Sequence, residues 1–123
     1  MADPAGAGET TGAAGPATLD EAVVWLRNHF RPEAAEGLEV SYALDLGGPG
    51  GGVLRLVIAG GRVEVERTAE ADADVVLRLS VADYLAVLAG RANADLLYME
   101  GRLEIEGDLA LATRVRTLFR PRA

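Results

Sequence analysis

The chain of 123 residues has no cysteine and only one histidine, His29. Without cysteine there can be no disulfide framework, thiolate metal site or thiol nucleophile, and the redox compartment is left open. A lone histidine also rules out a histidine-rich metal site. Lysine is absent too, so all twelve cations are arginine. With the excess of Ala and Gly, this composition is expected of a GC-rich genome and hence of a bacterial source. Aromatics are scarce, one Trp, three Tyr and two Phe in a chain that is 50% hydrophobic, so Leu, Val and Ala must fill the core. No apolar run approaches the ~20 residues of a membrane-spanning helix. The opening MADPAGAGETTGAAGPA lacks the basic and apolar regions of a secretory signal. A soluble, cytoplasmic protein is the expectation.

Acidic residues outnumber basic ones 19 to 12, for a formal net charge of -7. Nucleic acid is therefore excluded as a partner, because binding a polyphosphate needs clustered cations. The length suits one domain with one sizeable core.

Residues 1–17 carry no large apolar side chain after Met1 and cannot repay the entropy of ordering, so they are expected to form a disordered tail ahead of a domain over 18–123. Thr18 and Glu21 make a capping box for a first helix over 19–29. Arg31-Pro32 breaks it, and Pro32 suits the first turn of a short helix through Glu36, closed by Gly37. From Leu38 to Leu46 apolar and polar residues alternate, the period of a half-buried strand. GGPGGG at 47–52 leads to a second strand over 53–59, and Gly60-Gly61 is a hairpin signal before a third over 62–67. A fourth strand is expected over 75–79. Ser80 and Asp83 form a second capping box for a helix ending at Gly90, with Val81, Tyr84, Leu85 and Leu88 on one face. A short helix over 94–99, a strand over 102–106 and a final helix of about eleven residues capped by Asp108, with Leu111, Val115, Leu118 and Phe119 inward, complete the chain. The fold class that follows is α+β: a five-stranded, mainly antiparallel sheet with helices packed on one face.

No catalytic motif stands out. The Gly-rich loop lacks a Walker lysine and GxGxxG spacing and leads into a strand, so it reads as a hairpin connector. Glu64, Glu66, Glu104 and Glu106 pair at i, i+2 on strands, the pattern of a solvated outer face, not of a desolvated acid and base. His29 suits a helix C-terminus, and Ser80, Asp20, Asp83 and Asp108 suit N-terminal roles. Arg114, Arg116, Arg120 and Arg122 make the C-terminal end basic. That fits transient contact with an anionic membrane or thioester phosphates, and equally cations at a helix C-terminus. Periodicity alone does not separate a filled core from a lined cavity.

Three segments go further: RPEAAEGLEVSYALDL (31–46), LSVADYLAVLAGRAN (79–93) and MEGRLEIEGDLALATRVRTLF (99–119). They resemble the sterol carrier protein type 2 family, over nearly all of 19–119. The last is similar to the family's sGKLKIEGD strand and following helix, with Gly101, Leu103, Ile105, Glu106, Gly107 and Asp108 in matching places. The resemblance implies a five-stranded sheet, helices over one face, and a hydrophobic tunnel between them for sterols, fatty acids, fatty acyl-CoA or other lipids. It implies no metal or organic cofactor. Carried onto this sequence, the ligand-binding residues are Tyr84, Leu85, Leu88, Leu96, Leu97, Met99, Leu103, Ile105, Leu111, Val115, Leu118 and Phe119. Asn93-Ala94 stands where the family often has Asn-Pro, and Glu100-Gly101-Arg102 where it often has Ser-Gly-Lys. The final Pro121-Arg122-Ala123 is not a peroxisomal Ser-Lys-Leu address, so the eukaryotic peroxisomal role is not expected to transfer. With the composition above, a stand-alone bacterial member is the expectation.

Three functions fit such a domain. The favoured one is a non-enzymatic binder or carrier of a hydrophobic small molecule. A second is a small enzyme or accessory protein acting on a hydrophobic intermediate, with Tyr84 or Tyr98 as proton donor. A third is a docking domain for a larger enzyme. Ligand identity and oligomeric state are left open.

Overall fold

The computed structural model describes residues 15–119. The tail expected over 1–17 falls, for residues 1–14, outside the described residues, as do Arg120 and Arg122. Residues 15–17 are placed: Pro16 is buried, and the main-chain N–H of Ala17 donates to the Glu21 carboxylate at 2.8 Å.

Helix α1 (Leu19–His29) starts where the Thr18 hydroxyl accepts from the Glu21 N–H, satisfying one of the free donors of a helix N-terminus. A 3-10 turn (Pro32–Ala35) follows, one residue shorter than expected and tighter than an α-helix. Strands β1 (Val40–Gly47), β2 (Gly52–Ala59) and β3 (Arg62–Thr68) form an antiparallel meander. Leu38 precedes β1 instead of starting it, because its N–H closes the turn onto the Ala35 carbonyl. Strand β4 (Val75–Ser80) leads into α2 (Val81–Leu88), then α3 (Ala94–Met99), β5 (Glu104–Gly107) and α4 (Leu109–Leu118).

The second capping box is half formed. Ser80 accepts from the Asp83 N–H at 3.0 Å, but the Asp83 carboxylate pairs with Arg102 at 2.7 Å instead of reaching back to Ser80. Arg102 and Leu103 do not begin β5, since both N–H groups bond the Leu97 carbonyl and close α3. Asn93 and Asp108 each cap a helix with two hydrogen bonds to the following main chain.

The sheet order is β3-β2-β1-β4-β5, with β1 and β4 parallel and every other pair antiparallel. The register aligns Leu54, Leu44, Leu77 and Ile105 across four strands on the face the helices cover. The opposite face is polar: Arg55 pairs with Glu66, and Arg78 bridges Asp45 and Glu106. The core lies between sheet and helices, anchored by Leu26, Tyr42, Leu54, Ile58 and Leu118, all below 2% exposed. Each such aliphatic side chain contributes ~1.5–3 kcal/mol through burial. The ends of α1 and α4 are tied together. Phe30 and Phe119 form an isolated bridge with rings 5.6 Å apart, and the Arg31 N–H donates to the Leu118 carbonyl.

Candidate functional site

The helices do not close completely over the sheet. A cavity of about 1210 Å³ lies between them, at or above the ~300–1,000 Å³ of ordinary small-molecule sites. Its floor is the inner sheet face, with Leu44 from β1, Leu56 from β2, Leu77 and Leu79 from β4 and Ile105 from β5. These side chains share a face because strand residues alternate and the register aligns them. Trp25 from α1, Tyr84, Val87 and Leu88 from α2, and Val115 from α4 form the walls.

Of the residues expected at the ligand site, Tyr84, Leu88, Leu103, Ile105, Val115 and Phe119 line this cavity. Leu97 and Leu118 are instead buried in the packed core, and Leu85 and Leu111 pack half-buried against it. Leu96 and Met99 point to solvent, 55% and 79% exposed. The α3 segment is only six residues long, so it turns one apolar residue, Leu97, inward and leaves its neighbours outside. Sequence reasoning missed Trp25, His29 and the β1, β2 and β4 leucines of the floor. The strand alternation marks Leu44, Leu56, Leu77 and Leu79 as inward, but no local signal separates a lined position from a filled one.

The polar side chains that touch the cavity are mostly the exposed ones: Asn93, Asp95, Thr113, Arg114, Arg116 and Thr117. Arg116 pairs with Asp95 at 2.9 Å, and Arg114 donates to the Ala34 carbonyl at 3.0 Å. His29 stacks on Trp25 with ring centres 4.0 Å apart, and its Nδ1 donates to the Trp25 carbonyl. That local bond gives the imidazole a structural role at the end of α1. Tyr84 is the one apolar-wall residue with a hydroxyl. Burial holds its pKa well above the usual tyrosine value. Tyr42, beneath α4, is also raised by burial, with Arg114 opposing the shift.

Among the described residues that line the cavity, no nucleophile is hydrogen-bonded to a base, and the Thr113 and Thr117 hydroxyls donate to main-chain carbonyls. The Ser80 hydroxyl is committed to its cap, and among the described residues no cluster of His, Asp or Glu could hold a metal ion. A large apolar space with polar groups near its opening is suited to burying a hydrophobic molecule.

A family model described as the SCP-2 sterol transfer family matches residues 26–120. The chain belongs to that family. This SCP-2 family chain is 25% identical over 103 residues to hydroxysteroid dehydrogenase-like protein 2 of Bos taurus, a match covering 82% of this chain and 24% of that protein. It therefore spans about a quarter of the length of that curated relative. Among solved structures, sterol carrier protein 2 from Yarrowia lipolytica in its apo form superposes with a TM-score of 0.61 at 19% identity, covering 80% of this chain and 86% of that one. A stereoselective inverting sec-alkylsulfatase from Pseudomonas sp. gives a TM-score of 0.72 at 16% identity, over 87% of this chain but 17% of that one. The SCP-2 fold thus makes up most of one small protein and a small part of a larger enzyme.

Proposed function

We propose that the domain over 18–123 binds, and can transfer, a hydrophobic ligand such as a fatty acid, a fatty acyl-CoA or a sterol in the space between sheet and helices. The observation that carries this reading is the cavity of about 1210 Å³ with a floor of Leu44, Leu56, Leu77 and Leu79. Family membership supports it. Affinity comes from burying the ligand's apolar surface, roughly 0.8 kcal/mol per methylene. Tyr84, Leu88, Leu103, Ile105, Val115 and Phe119 form the contact surface, and the cavity runs as a tunnel toward the polar residues of α3 and α4. Among the described residues no helix is long and apolar enough to cross a membrane. Any membrane contact is transient and made through the end of α4.

The test is native mass spectrometry of the purified protein, with organic extraction of whatever copurifies, followed by lipid titration. Trp25 is the only tryptophan and lines the cavity, so its fluorescence reports occupancy directly. A bound lipid mass, or a saturable Trp25 response to a fatty acid or sterol, supports the carrier reading. An empty protein that responds to no lipid sinks it.

A second reading draws on the sec-alkylsulfatase, of whose chain this fold covers 17%. On that reading the same cavity would present an apolar substrate to a neighbouring catalytic unit. Retention of the ligand by an isolated monomer favours the carrier.

A further inference from the structure

Tyr84 sets a polar group into an otherwise aliphatic wall. It lies on α2, near Val87 and Leu88 in sequence, and shares the cavity with Leu44, Leu56 and Leu77 of the sheet. Its hydroxyl makes no hydrogen bond to any described residue, whereas Tyr42, which is fully buried, donates to the Leu111 carbonyl at 2.7 Å. A bound molecule that covered this hydroxyl without giving it a partner would cost roughly 1–3 kcal/mol, so one that supplies a partner is favoured. The phenolic oxygen is not sealed into packed core, and the surface that Tyr84 retains opens onto the cavity.

The charge surroundings decide what it can meet. The two arginines that touch the cavity are exposed and already engaged, Arg116 with Asp95 and Arg114 with the Ala34 carbonyl. Burial raises the Tyr84 pKa, so the phenol stays neutral. An ionised carboxylate brought there would be desolvated without a counter-charge, which is strongly unfavourable. A neutral hydroxyl or carbonyl would give and receive a hydrogen bond at no such cost.

Resting on the carrier reading above, we propose that the Tyr84 hydroxyl is the polar contact of the bound lipid, and that it selects ligands ending in a neutral hydroxyl or carbonyl over those ending in a carboxylate. Tyr84 is thus a specificity-determining residue.

The experiment compares 1-decanol, decanoate at neutral pH and decane, titrated into the intact chain and into Tyr84→Phe, with Trp25 fluorescence as the readout. Wild type binds decanol at least about tenfold more tightly than decanoate, the carboxylate bearing the desolvation cost. Tyr84→Phe weakens decanol about fivefold, the size of one neutral hydrogen bond, and leaves decane unchanged. Equal decanol affinity in the two proteins, with decane still bound, overturns this inference and leaves the carrier reading standing. Decanoate binding to wild type as tightly as decanol overturns it without recourse to the variant, because the head group must then lie outside, by the α4 arginines. Failure of all three ligands to bind wild type overturns both readings.

Discussion

The hydroxyl of Tyr42, on the central strand β1, donates a 2.7 Å hydrogen bond to the main-chain carbonyl of Leu111 in α4. The side chain is fully buried beneath the helix, so this bond fixes α4 over the sheet from within. Arg116 to Asp95 and Arg114 to the Ala34 carbonyl hold the same helix at the surface, where exposed pairs contribute only about 0–1 kcal/mol.

Replacing Tyr42 with Phe removes the inner tie and little else. A loss of about 1 kcal/mol is expected, read as a fall in Tm of about 4 °C by calorimetry. Amide exchange in α4 should quicken more than in β1 or β2. Uniform exchange across all elements would mean that the bond does not hold the helix in place.

Leu118 and Leu88 separate filled core from cavity wall. Leu118 is wholly buried, so Leu118→Ala should cost about 2–5 kcal/mol in urea unfolding. Leu88 faces the cavity and lacks packing partners on that side, so Leu88→Ala should cost under about 1.5 kcal/mol. Leu88→Arg, by placing a charge in the apolar space, should abolish lipid binding while the far-UV spectrum is kept. Equal costs for the two alanine variants would show that the space collapses in solution.

Much of the fold was legible because short-range chemistry set it. Thr18 and Pro32 bound α1, Asn93 and Gly101 bracket α3, and both helices occur over the expected residues. The strand starts at Leu38 and Arg102 were misplaced by two residues each, because alternation continues into residues whose N–H groups serve a preceding turn. The site was less legible. Leu96 and Met99 look inward by composition, yet face solvent because the neighbouring Leu97 fills the contact. Trp25 and the β1, β2 and β4 leucines come to the cavity only through strand register and helix placement, which are long-range.

Stability should fall at alkaline pH. Tyr42 and Tyr84 both have folded-state pKa values raised above the usual value near 10. Below that value both states are neutral and nothing changes. Above it the unfolded chain ionises first and binds fewer protons, so stability is lost as pH rises, by at most about 1.4 kcal/mol per pH unit for each tyrosine. Urea midpoints at about pH 8 and about pH 11 should therefore converge in Tyr84→Phe relative to wild type. An unaltered difference would place the Tyr84 phenol in water.

Two glycines of the segment that links α3 to α4 should respond differently to alanine. Gly107 ends β5 at φ +107°, and a Cβ there would sit 2.5 Å from the Asp74 carbonyl oxygen. Gly101 has φ +78° but open space around it. Gly101→Ala should cost about 1 kcal/mol, the left-handed backbone penalty alone. Gly107→Ala should cost distinctly more, since β5 must also shift from β4, and thermal melts of the two variants give the comparison. Equal shifts would show that the strand edge yields freely.

The parallel pairing of β1 with β4 also has a temporal consequence. Leu44 and Leu77 lie side by side in the sheet, yet the whole β2-β3 hairpin separates them along the chain. Such a junction forms late, after local hairpins and helices, because loop closure must precede its reward. A chain still emerging from the ribosome with β4 unmade has half a floor and nothing to grip. On the carrier reading, uptake waits for the finished molecule, and a nick between β3 and β4 should release what is bound.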